Sequence, residues 1–141
     1  MSPERAGDLV YLELEDVLGL SAEIFGLDDR GARDRLRSET GLRGAVARPR
    51  TYARYEGADI ALQAVVLAHG VAEGQYFLDG NKRTSLVALR TFLAINGYDV
   101  EASQEERAAW IISLSEGTSI EQLADRLRRV LRVQPISAEE V

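Results

Sequence analysis

Apolar residues recur at three- and four-residue spacing through most of the chain, which predicts an all-α fold. Only Leu9–Leu12 looks strand-like. Leu14, Val17, Leu18, Ile24 and Phe25 make the inward stripe of a first helix, with Ser21 as a polar interruption and Gly26 as the stop. A short arginine-rich helix is expected after Asp28 and Asp29, and another over Leu42–Arg48, where Pro49 forbids continuation. The pattern breaks down from Pro49 to Gly57, which reads as a long loop. Ile60, Ala64, Leu67, Ala68 and Val71 then line one face of a helix ending around Glu73 and Gly74. The next helix, from about Asn81 to Asn96, is apolar nearly all round, which puts it at the centre of a bundle, and Gly97 ends it. Ser103 and Glu106 stand as a capping box before a helix through Ile112 and Leu114. Thr118 with Glu121, or Ser119 with Gln122, opens a last helix whose inner face carries Ile120, Leu123, Leu127 and Leu131.

The chain holds 141 residues, 45% hydrophobic and 28% charged, the size and composition of one globular domain with its own core. Residues 9–133 are expected to form that domain, with 1–8 an N-terminal segment and 134–141 a frayed tail. A formal charge of −6 argues against nucleic acid as a partner. No run approaches the ~20 apolar residues that span a bilayer, and Met1–Asp8 is not followed by the apolar stretch of a secretory signal. No membrane association is therefore expected. The absence of cysteine removes disulfides, thiolate metal sites and thiol nucleophiles, and suits a cytoplasmic protein. Among the 17 basic residues the only Lys is Lys82, and the only His is His69.

Gln75-Tyr76-Phe77-Leu78-Asp79-Gly80-Asn81-Lys82-Arg83-Thr84 joins the two central helices. Asp79-Gly80 makes a turn into the second of them. The first backbone N–H groups of a helix lack intrahelical partners and its dipole is positive there, so the position suits an anion. Lys82 and Arg83 add two cations at that same end, where they are disfavoured unless an anion joins them. Asp79 at the rim suits magnesium, which takes one or two carboxylates together with phosphate oxygens and water. The set describes a nucleoside triphosphate site. On electrostatics alone, a solvated polar turn with two exposed cations describes it as well.

The spacing discriminates. The run resembles the signature of the Fic/Doc superfamily, whose Doc-type members read His-x-Phe-x-Asp-Gly-Asn-Lys-Arg-Thr, and Phe77, Asp79, Gly80, Asn81, Lys82, Arg83 and Thr84 all match it. The first helix, Val46-Ala47-Arg48-Pro49, the FLAING stretch at Phe92–Gly97 and Glu116–Arg132 also resemble Doc-type counterparts. The resemblance implies a compact all-helical bundle with the motif between two central helices. It further implies an ATP and Mg2+ site: Asp79 as the metal ligand, Gly80 and Asn81 as the phosphate cradle, Arg83 as a phosphate clamp, and Phe77 as a core anchor. Lys82 and Thr84 complete the set of cofactor-binding positions. Lys82 stands where most Fic enzymes have a second Gly and transfer AMP. In the Doc type this Lys goes with phosphoryl transfer to a protein hydroxyl, with elongation factor Tu as substrate and a small antitoxin protein as partner.

The departure is Gln75, at the position of the family's general-base His. An amide orients a hydroxyl but does not take its proton. His69, six residues earlier on a helix, is ~9 Å along the axis and ~120° around it from that position. Its bland reading is a partly buried or helix-end His with a backbone partner, and Tyr76 is a poor base at neutral pH. Gln75 therefore reads as a weakened or silent enzyme, a substitution introduced to tame a toxic protein, or a site with a different substrate. The catalytic positions implied are Gln75, Lys82 and Arg83, and the competing readings are a silent nucleotide- or partner-binding module and an AMP transferase. No inhibitory helix of the Ser/Thr-x-x-x-Glu-Gly/Asn type fits the chain, so restraint would come from a separate protein. Ser21, where Doc-type first helices often carry His, reads as a tolerated small polar residue.

Overall fold

The structure, a computed structural model, describes residues 9–134; the expected N-terminal segment 1–8, and all of the expected tail 134–141 but Gln134, lie outside the described residues, and Gln134 N–H donates to Gly97 O at 2.8 Å. In chain order the elements are α1 (Leu14–Phe25), α2 (Asp29–Asp34), α3 (Glu39–Glu56), α4 (Ile60–Gly74), α5 (Asn81–Ile95), β1 (Tyr98–Val100), α6 (Gln104–Ser115), α7 (Ile120–Val130) and β2 (Leu131–Val133). The fold is all-α, with one small antiparallel sheet pairing Tyr98 with Val133 and Val100 with Leu131. That sheet is absent from the helical periodicity because its two three-residue strands are separated in sequence by α6 and α7. Leu131, expected on the inner face of the last helix, is its extended C-cap and starts β2.

The local signals hold where they are chemical. Ser103 with Glu106 and Ser119 with Gln122 form the capping boxes of α6 and α7. Gly26 takes a left-handed φ of 64° at the end of α1, and Gly97 has a φ of 89° just past α5. The strand-like Leu9–Leu12 joins no sheet. The Asn96 carboxamide stands in for a neighbouring strand, accepting from Val10 N–H at 2.7 Å and donating to Val10 O at 2.9 Å.

Two expectations are corrected. Pro49 does not end a helix, and no loop runs from Pro49 to Gly57: α3 continues through the proline to Glu56. The buried positions Leu42, Ala45, Val46, Pro49 and Ala53 form a single stripe at helical spacing, with the proline ring part of it. Packing of this stripe offsets the ~3 kcal/mol that an interior proline costs. Gly70 on α4 admits the approach, since a Cβ there would lie 3.1 Å from Ala45 Cβ. The central helix is also α4 and not α5. Eleven of the fifteen residues of α4 are buried, against six of fifteen in α5, and α4 packs against α3, α5, α6 and α7. Its one buried amide, Gln63, is satisfied, accepting from Tyr11 O–H at 2.8 Å and donating to Ala58 O at 2.9 Å.

Asp59 starts α4 and ties it to α7. Its carboxylate caps Leu62 N–H at 3.0 Å and accepts two bonds from Arg128, from Nε at 2.7 Å and Nη2 at 3.0 Å. The Arg128 hydrogen bond, helped by the Leu62 amide against the opposing effect of burial, holds the Asp59 carboxyl below its ordinary 3.8. Asp59→Ala is expected to lose about 1–2 kcal/mol of stability, a helix cap together with a partly exposed ion pair. Because the folded pKa lies below the unfolded one, this contribution is present above the unfolded value and is lost as pH falls through the folded value. Urea denaturation of both proteins should therefore show a gap at neutral pH that narrows in strong acid.

Candidate functional site

The α4–α5 connection is fixed by contacts at almost every residue. Gln75 caps α4 in the left-handed region, with φ 49° and ψ 47°, a conformation that disfavours side chains with a Cβ. Next to it the Tyr76 ring is clasped by two glycines. A Cβ at Gly41 of α3 would come within 2.3 Å of the ring, and one at Gly74 within 2.1 Å. Phe77, 1% exposed, plunges into the core. A short antiparallel bridge between Leu36 and Phe77 fastens the loop to residues 35–37, with Leu78 N–H donating to Arg35 O at 2.9 Å. The Asn81 carboxamide closes the turn by accepting from Phe77 N–H and donating to Phe77 O, both at 3.0 Å. Asn81's side chain is thus committed to the loop, and its backbone N–H is the group it can offer a ligand.

Gly80 enters α5 with a φ of 73°, and a Cβ there would lie 2.2 Å from the Phe25 ring. This requires glycine twice over, for the backbone angle and for the ring. No side chain caps α5. Thr84 N–H is the first to bond back, to Gly80 O at 2.9 Å, so the amides of Asn81, Lys82 and Arg83 have no intrahelical partner. Lys82 and Arg83 are exposed and have no acidic partner among the described residues. Unpaired amides, a positive helix end and two free cations together make a place for an anion.

A depression of about 370 Å³ opens at this point, lined by Ala72, Gln75, Gly80, Asn81, Lys82 and Arg83. The structure thus brings together Gln75, Gly80, Asn81, Lys82 and Arg83 as the sequence pattern anticipates. Asp79 stands on the rim, with its side chain 66% exposed and paired with the Arg35 guanidinium. Phe77 and Thr84 are both buried, and neither lines the depression. His69 on α4 and Tyr76 line no part of the depression. A larger hollow of about 660 Å³ lies beside α1 and the end of α5, but Glu15, Asp16, Glu23 and Asp29 line it with no basic residue. A phosphate would be repelled there.

A family model described as the Fic/DOC family matches residues 11–93, more than half of the chain and the whole of this loop. The chain belongs to the Fic/DOC family. It is also 36% identical over 96 residues to the protein named Toxin Doc of Mycolicibacterium smegmatis (strain ATCC 700084 / mc(2)155), covering 65% of this chain and 68% of that relative.

In this Fic/DOC chain the donor set limits what metal could be held. No cluster of three or more metal-ligating side chains occurs among the described residues. Asp79 is the one carboxylate of the loop, and this suits a magnesium ion that brings its remaining ligands as phosphate oxygens and water. Two contributors escaped the sequence reading. Arg35 reaches Asp79 from 44 residues away, and Phe25 supports both Arg35, whose guanidinium carbon lies 4.7 Å from the ring centroid, and Gly80. The arginine-rich stretch after Asp28 was visible as composition, but nothing local marks which arginine turns toward the loop. No helix among the described residues is long and apolar enough to cross a membrane.

Proposed function

We propose that this chain is a Doc-type toxin-family protein, working in the cytoplasm, that binds ATP with Mg2+ at residues 75–83 and whose reaction is phosphoryl transfer to a hydroxyl of a protein target, with elongation factor Tu as that target. The observation that carries this reading is the uncapped positive start of α5, where Lys82 and Arg83 have no acidic partner among the described residues. Its likeness to a protein named Toxin Doc supports the toxin assignment and a small antitoxin as partner.

The residues divide the work. The amides of Asn81, Lys82 and Arg83 cradle the polyphosphate, the two side-chain cations neutralise it, and Arg83 offers a planar fork to phosphate oxygens. Asp79 would hold Mg2+, which supplies charge neutralisation across the phosphates. Lys82, in the place of the second Gly of AMP-transferring relatives, favours transfer of the γ-phosphoryl group. The target oxygen forms its bond to the γ-phosphorus as the bond to the β-phosphate oxygen breaks, and ADP leaves. Gln75 orients the hydroxyl without accepting its proton, which must pass to solvent, so the step is slow.

The second reading, a silent nucleotide- or partner-binding module, is favoured by Gln75 itself. Calorimetry with ATP and Mg2+ tests what both share. Arg83→Ala is expected to weaken binding by about 10–100-fold, the loss of charge-assisted hydrogen bonds to phosphate. Labelled phosphate appearing on elongation factor Tu separates the enzyme from the module, and an absence of ATP binding sinks both.

A further inference from the structure

Asp79 has two cations within four residues, yet it pairs with neither. Its Oδ1 is instead taken by Arg35, the C-cap residue of α2, 44 positions earlier in the chain. Exposed ion pairs ordinarily contribute little, because two long side chains lose freedom to meet. Arg35 has already lost that freedom. Its side chain is only 28% exposed, its guanidinium lies 4.7 Å from the centre of the Phe25 ring, and its carbonyl accepts Leu78 N–H at 2.9 Å from the residue beside Asp79. Phe25 is pressed on Gly80 in turn, so arginine, ring, glycine and carboxylate form one packed unit at the mouth of the loop.

We propose, resting on the reading of the loop as a Mg2+ and nucleotide site, that Arg35 is a positioning residue that acts as the resident counter-ion of Asp79 and sets how strongly the site couples metal to nucleotide. With Arg35 in place the Asp79 carboxylate is neutralised and aimed, and the loop is held in its bound shape without a ligand. A divalent ion at the same carboxylate then meets a guanidinium beside it. Arg35 must swing off Asp79 or stay and repel, and either way part of the metal's binding energy is lost. The cost falls on the metal term, and the metal-free affinity, measured beside the ratio, reports any direct contact of Arg35 to phosphate.

Thermodynamic linkage isolates this term. The affinity of a non-hydrolysable ATP analogue is measured on the full chain by calorimetry with and without Mn2+, and the ratio of the two dissociation constants is the readout. Arg35→Gln is expected to raise that ratio roughly two- to fivefold, the range for removing a competing exposed pair, while Arg35→Lys keeps it near the wild-type value. Phe25→Leu, which frees the guanidinium without removing it, is expected to raise the ratio by less and serves if Arg35→Gln does not fold. Asp79→Asn should bring the ratio close to one. An unchanged or smaller ratio in both folded Arg35→Gln and Phe25→Leu, with Asp79→Asn still collapsing it, overturns the role of Arg35 and leaves the site reading standing. Failure of the wild type to bind the analogue, or a ratio indifferent to Asp79→Asn, overturns the site reading and this inference with it.

Discussion

Gln75→His is expected to raise phosphoryl transfer by about 10²–10⁴-fold, the usual worth of a positioned general base. Gln75 is exposed, lines the depression with Lys82 and Arg83, and follows directly on α4, so a ring at that Cβ reaches the space where a target hydroxyl would approach the phosphates. The exchange asks little of the fold. The position has a φ of 49°, and His is among the residues enriched in that region. The variant should melt with the wild type and bind ATP and Mg2+ equally well, so the gain falls on kcat. Its rate should rise with pH through the range where an imidazole loses its proton, near 6.5 for an unperturbed one, whereas the wild type should show no such step. Expression of the variant should arrest growth, and co-expression of a cognate antitoxin should relieve the arrest. If Gln75→His binds ATP with Mg2+, phosphorylates nothing and leaves growth untouched, the toxin reading is wrong and the silent module stands.

The candidate site was legible because its residues are contiguous: one loop and the first turn of one helix line the depression, and residues 77–84 carry the pattern as a run. The same locality made the helix ends readable, since Ser103 with Glu106 and Ser119 with Gln122 meet within one turn. What sequence could not show depends on distant partners. Pro49 breaks a helix by local rules but lies in a stripe whose value comes from α4. The pairing of Tyr98 with Val133 spans two helices. Arg35 is one arginine among several until the Leu36–Phe77 bridge turns it toward Asp79. Even inside the motif, residue type did not settle direction. Asn81 spends its carboxamide on the Phe77 backbone, and Thr84 is buried with a hydroxyl that has no hydrogen-bond partner, so neither polar side chain is turned to the depression as a free group.

Phe77→Ala carries the largest expected loss of stability, about 3–5 kcal/mol, the range for emptying a buried phenylalanine site. The ring is 1% exposed and is among the largest fully buried side chains of the core. For a domain of this size that is a fall in Tm of roughly 10–20 °C, measurable by circular dichroism. The location of the damage matters as much as its size. The Phe77 backbone holds both Asn81 bonds and forms the bridge to Leu36, so a cavity below it loosens the turn that aims the α5 amides. Loss of anion binding in Phe77→Ala would therefore accompany unfolding and say nothing about contact. Phe77→Leu separates the two. It keeps most of the apolar volume, should cost about 1–2 kcal/mol, and should bind ATP with Mg2+ as the wild type does, because a side chain buried in the core touches no ligand. If Phe77→Leu is fully folded at the assay temperature and still loses nucleotide affinity tenfold, the ring is part of the binding surface and the loop must open to expose it. Unchanged affinity makes Phe77 the anchor of the loop, with recognition carried by the helix start above it.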